Sequence, residues 1–139
     1  MAVRADRDLK FAVIVTRTVE TGQTVAVGRV VKDGNADKEC QHTTDGVGAI
    51  GVVTALGKLN GAAGDKVQVV YLAGACVIPV RVGTGGAARG ALAKCVADGV
   101  TSAGDEDTEV VGFFTQYGVA GDIVGMVPAR GRLTEVAGG

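Results

Sequence analysis

Apolar residues come in short bursts along this chain, split by glycine, aspartate and asparagine. In residues 9–16, Phe11, Val13 and Val15 fall on one face of an extended segment, and Ala12 and Ile14 on the other. That period of two predicts a strand. Comparable runs predict strands over residues 25–31, 49–56, 67–72 and 76–82, and again over 91–97, 109–116, 123–127 and 133–136. Asp33-Gly34 closes the second run with a turn dipeptide, and Gly74 suggests a tight hairpin between 67–72 and 76–82. About nine short strands at a spacing of roughly ten residues point to a β-sandwich or barrel. Two stretches compete with this reading. Residues 87–94 have a helix-forming composition, and 46–58 would pass for a loose helix but for Gly46, Gly48, Gly51 and Gly57.

The second half of the chain repeats the first, which decides both cases in favour of strands. Residues 27–34 line up with 92–99, Ile50-Gly51-Val52-Val53-Thr54 with Val111-Gly112-Phe113-Phe114-Thr115, and Ala63-Gly64-Asp65-Lys66-Val67 with Ala120-Gly121-Asp122-Ile123-Val124. The offset shrinks from block to block while the order is kept. Two copies are too few for a solenoid, so the expectation is one domain, 1–139, built from two similar β-motifs. Its expected parts are an N-terminal arm over 1–8, a first half over 9–82, a Gly-rich connection over 83–90 and a second half over 91–136. What repeats is turn and strand chemistry, with no candidate catalytic side chain in it.

Composition narrows the function classes. With 139 residues, 23 glycines, 2 prolines and no tryptophan, the chain is long enough for one buried core. A net charge of −1 gives no electrostatic footprint for nucleic acid or an anionic membrane. Apolar stretches such as residues 11–15 are far shorter than the ~18 residues of a spanning helix. The opening residues 1–8 alternate charges and lack the apolar run of a signal peptide, so a soluble protein made in a cytoplasm is expected.

Few residues offer chemistry. Cys40, Cys76 and Cys95 are odd in number and widely spaced, and free thiols are expected. Cys76 and Cys95 sit in apolar strand runs and are expected in the core. Cys40 and His42, the lone histidine, fall in a polar segment over 33–45 that reads as an exposed loop. Zinc needs about four ligands, and no second ligand pair accompanies them. Residues 83–90 are glycine-rich but lack the Gly-Lys-Ser/Thr closure of a phosphate loop. Asp105, Glu106 and Asp107 are consecutive, so their carboxylates diverge and read as a solvated loop. No cofactor or metal is expected. Arg4, Arg7 and Lys10 precede the first strand and form either a frayed end or a basic arm that docks on an acidic partner.

The order of these elements resembles a family of tailed-bacteriophage capsid decoration proteins, also called cement or head-stabilising proteins. The carriers are the early apolar strand (residues 11–16), the entry Gly22-Gln23-Thr24-Val25, Ile50-Gly51-Val52, residues 63–70 and Gly74-Ala75-Cys76. The pattern returns at Val111-Gly112-Phe113 and Gly121-Asp122-Ile123-Val124, so the likeness spans most of residues 9–136. The resemblance implies an all-β, single small β-barrel or jelly-roll-like domain on the outer face of an expanded capsid. It further implies no catalytic residues, the major capsid protein as partner, and dimers or trimers; with the apolar surplus and exposed edges described below, a homo-oligomer is expected, a trimer preferred over a dimer. Arg4, Arg7 and Lys10 are then the capsid-contact candidates. The long polar segment 32–45 and the extra residues 57–60 depart from the family pattern.

The physical expectations agree. Mean hydropathy of +0.30 with only 2 Tyr and 3 Phe describes small-residue apolar surface in excess of what a monomer buries. Sheet edges also need closing or pairing. The runner-up is a β-barrel ligand- or carbohydrate-binding module, for which Tyr71, Phe113, Phe114 and Tyr117 offer few stacking rings. A small hydrolase built on Cys40 and His42 is third.

Overall fold

Valine dominates the apolar positions, and its branched Cβ favours the extended backbone of a pleated surface. The structure, a computed structural model, describes residues 12–43, 47–54, 60–73, 76–96, 99, 101–103 and 108–133. No α-helix occurs among the described residues. The first motif holds β1 (Ile14–Val19), β2 (Thr24–Ala26), β3 (Val30–Asp33), β4 (Glu39–His42), β5 (Ala49–Val53), β6 (Asn60–Ala62) and β7 (Lys66–Tyr71). The second holds β8 (Ile78–Arg81), β9 (Leu92–Cys95), β10 (Thr101–Ala103), β11 (Thr108–Phe114) and β12 (Ile123–Leu133).

Strands β1-β4-β3-β5-β7 close into a barrel, with β1 antiparallel to β7 and parallel to β4. Closure removes the free edges that an open sheet exposes. The second motif forms a five-stranded sheet in the order β10-β9-β11-β12-β8, the barrel's own order in counterpart strands. Its two edge strands meet through a parallel bridge, Val82 to Thr101, which matches the Val19–Cys40 pairing that closes the barrel. β2 and β6 form a separate ribbon, echoed by the single bridge between Ala87 and Gly118.

The two motifs coincide in detail. β3 on β5 pairs Val31 with Gly51 and Lys32 with Ala49, skipping Ile50 in a bulge. β9 on β11 pairs Ala93 with Gly112 and Lys94 with Val110, skipping Val111. A Cβ on Gly51 would overlap the Val70 carbonyl oxygen, and one on Gly112 would overlap that of Val127. Close backbone approach therefore explains the repeated glycine. The turn before β7 is tied by Asp65, whose Oδ2 accepts the Ala62 N–H at 2.9 Å; Asp122 accepts the Val119 N–H at 2.9 Å before β12.

Interior residues match as well. Val19, Val25, Val31, Val53, Val67 and Val69 pack in the first barrel. Their counterparts Val82, Ala87, Ala93, Phe114, Val124 and Met126 pack inside the second sheet, which the single Val82–Thr101 bridge curls into a second, less complete barrel. That second cluster also takes in Val30, Ala49, Val52, Val70 and Leu72, which lie on the outer side of the first barrel. The barrels are thus joined by apolar burial, worth roughly 25 cal/mol per Å². Arg81 N–H donates to the Gly28 carbonyl at 2.7 Å across the same junction.

Several sequence expectations are corrected. Among the described residues there are twelve strands, where about nine were expected. Residues 25–31 split at the Gly28 turn, and β12 runs past the expected 123–127 as far as Leu133; residues 134–136 of the last expected strand fall outside the described residues. β4, β6 and β10 were unforeseen; β4 and β10 are short, polar and held by neighbours on both sides, and β6 by ribbon pairing. The first strand lies at β1, later than 9–16, and residues 9–11 fall outside the described residues. No hairpin joins β7 to β8, because β8 pairs with β12. The motif boundary therefore falls before β8, and residues 83–90 lie within the second motif rather than linking two halves. Pairing also shifts the first repeat block: Val30 corresponds to Leu92, not Cys95. The two Asp-Gly dipeptides had drawn that alignment out of register.

Candidate interaction surface

Each chemical candidate from the sequence resolves into a structural role or lies outside the described residues. Cys40 is fully buried on β4, not on an exposed loop. Its counterpart in the second motif is Thr101, also fully buried, with Oγ1 donating to the Arg81 carbonyl at 3.1 Å. Burial pushes the Cys40 thiol up to about 11, against a smaller lowering by Arg17. A thiol held protonated is a poor nucleophile. His42 is half-buried on the same strand, where Nε2 accepts the Ala26 N–H at 3.1 Å and ties β2 to β4. The polar segment was misread because four alternating residues, Glu39 to His42, give no apolar run of their own.

Cys76 and Cys95 are buried in the core, as expected, and all three cysteines are free thiols. Burial also raises the Cys76 thiol above its usual value. The N–H groups of Gly83, Gly86, Ala87 and Gly90 all donate to backbone carbonyls. No group of three or more His, Cys, Asp or Glu suited to a metal ion occurs among the described residues. Arg4, Arg7 and Lys10 lie outside the described residues, as do Asp105, Glu106 and Asp107.

A cavity of about 210 Å³ opens beside Ile50, Tyr71, Leu72 and Ala73. The Tyr71 ring is not free for stacking on a sugar: Arg17 lies over it at 5.8 Å and donates from Nη2 to its hydroxyl at 2.6 Å.

The surface is more informative than the interior. Large apolar side chains are exposed at Tyr117 (74%) and Val119 (70%), with Phe113, Ile123, Val13 and Val47 also exposed. Between the first two, a Cβ on Gly118 would lie 2.6 Å from Val124 Cγ1, so that position faces the barrel interior. Alternation then turns Tyr117 and Val119 outward. Gly61 makes the same inward approach, to Val19 and Val67, but its flanks are Asn60 and Ala62. Ile123 likewise stands where the first motif carries Lys66. The second barrel has therefore traded small or charged residues for large apolar ones on its outside. Monomeric proteins seldom keep such surface unless something covers it. Sequence reading missed this site because strands and turns look alike in both copies; only the aligned pairs reveal the exchange.

No family model matches the chain, and no curated protein matches it. Among solved structures it is similar to the crystal structure of the head fiber gp8.5 N base in bacteriophage phi29. The TM-score is 0.67 at 21% sequence identity, and the likeness covers 88% of this chain and 100% of that one. At that identity the likeness establishes a shared all-β fold.

Proposed function

We propose that this protein is a structural virion component that binds the outer surface of an expanded tailed-phage capsid and stabilises it. It acts as a homo-oligomer, preferably a trimer, with the major capsid protein as partner and no catalytic role. The observation that carries this reading is the likeness to a phage head fiber base over the whole length of that base. Two further features support it. Cysteine and histidine, the residues with most chemical potential, serve packing and strand pairing. The outside of the second barrel carries apolar side chains suited to a standing contact rather than to turnover.

A protein that binds only the expanded shell shifts the shell toward that state by its differential affinity. Each copy need supply only a few kcal/mol, because many act on one particle. The test is the rupture temperature of expanded shells with and without the purified protein. A higher rupture temperature on addition is expected. Equal temperatures would overturn the stabilising role and promote a ligand-binding module instead.

A further inference from the structure

Three residues in register form a row across the outer side of each barrel. In the first, Val52 pairs with Val30 on one side and Val70 on the other. In the second, Phe113 pairs with Leu92 and Val127. The rows are counterparts, since both follow the same bulge and the same close-packed glycine. Their surroundings differ. Val30, Val52 and Val70 are each 0% exposed, sealed in the cluster that contains the second barrel's interior. Phe113 is 38% exposed, Leu92 and Val127 are only half-buried, and none of the three belongs to either buried cluster.

We propose that the Leu92–Phe113–Val127 row is the surface on which a second copy of this chain docks. Within the chain, this face of the motif is one that another motif of the same fold covers. In the second barrel the row has become larger, with Phe113 in place of a valine, instead of turning polar as an unused face would. A net charge of −1 leaves little repulsion between copies.

The mode of docking is also constrained. Inside the chain the second barrel approaches the first through Gly99, where a Cβ would overlap the Val30 carbonyl oxygen. The counterpart of Gly99 in the first barrel, one residue before β4, is Lys38, whose side chain blocks the same approach. A further copy cannot simply extend the barrel-on-barrel stack, so an open filament is disfavoured. The row is therefore expected to meet the same row of another copy around a closed symmetry axis. This inference rests on the homo-oligomer proposed above, and its test needs no capsid.

Light scattering after size exclusion, over a wide range of protein concentration, measures the mass. The chain is expected to self-associate, and Phe113→Asp to raise the dissociation constant on the order of 100-fold. Unchanged circular dichroism and melting of Phe113→Asp would verify its fold. Phe113→Cys is expected to form an intermolecular disulfide on mild oxidation, since the native thiols are buried; Val119→Cys, at the barrel end, is not. A monomer at every concentration would overturn the proposal. So would an oligomer indifferent to Phe113→Asp that gives no Phe113→Cys cross-link. If Phe113→Asp leaves the mass unchanged but abolishes shell binding, the face belongs to the capsid protein and the proposal falls. Loss of shell binding by an intact wild-type oligomer would instead sink the decoration reading alone.

Discussion

Gly99 packs against the backbone of Val30 so closely that a Cβ would overlap the Val30 carbonyl oxygen and lie 3.0 Å from its nitrogen. Gly99 also has φ +76°, in the left-handed region. This contact joins the two barrels. Gly99→Ala is expected to cost about 2–4 kcal/mol, from left-handed strain plus overpacking at the junction. Its counterpart Lys38 has φ 62° but is exposed. Lys38→Gly is expected to be neutral or stabilising by about 1 kcal/mol at most. Urea unfolding of the two variants checks both. Equal effects would show that the barrels do not rest on this contact.

The buried thiol of Cys40 gives a pH signature. Folding raises its pKa from 9.0 to about 11, so the neutral form is favoured in the folded state. Its contribution to stability is fully present below pH 9 and fades as pH rises toward 11. Melting temperature should fall across that window, and less so in Cys40→Ala. Thiol reagents near neutral pH should label the folded protein slowly, and rapid labelling would contradict the packing described.

Cys40→Ser places a hydroxyl where a buried thiol packs and is expected to cost about 1–3 kcal/mol. His42→Ala removes the acceptor of the Ala26 N–H and is expected to cost about 1 kcal/mol. Below their melting temperatures, both variants should bind shells like the parent. Loss of binding with intact folding would return these residues to candidacy as a site.

Much of the fold was legible because its signals are local. The alternation in β7 and β8, the Ile-Gly and Val-Gly pairs and the Asp65 and Asp122 turns can be read from neighbouring residues. What escaped depends on partners distant in sequence. β4 pairs with β1 and β3, yet its own residues Glu39 to His42 read as polar loop. The hairpin expected at Gly74 failed because local turn chemistry does not say that β8 belongs with β12. The exposed apolar surface was hidden for a related reason. Val52 and Phe113 look equivalent in sequence, and only the packing of one barrel on the other separates a buried residue from an exposed one.

Removal of residues 1–8, which takes away Arg4 and Arg7 and leaves Lys10, tests the basic-arm reading. If the arm docks on acidic capsid surface, truncation weakens binding, and the loss is larger at low salt than at high salt. Equal binding by the truncated and full chains at every salt concentration would remove the arm from the contact.

Co-sedimentation of the purified protein with expanded and with compact precursor shells tests the central claim most directly. The decoration reading expects saturable binding to expanded shells and little to precursor shells, because the docking surface is completed only when capsid subunits rearrange. Equal binding to both shells, or binding to neither, would contradict it.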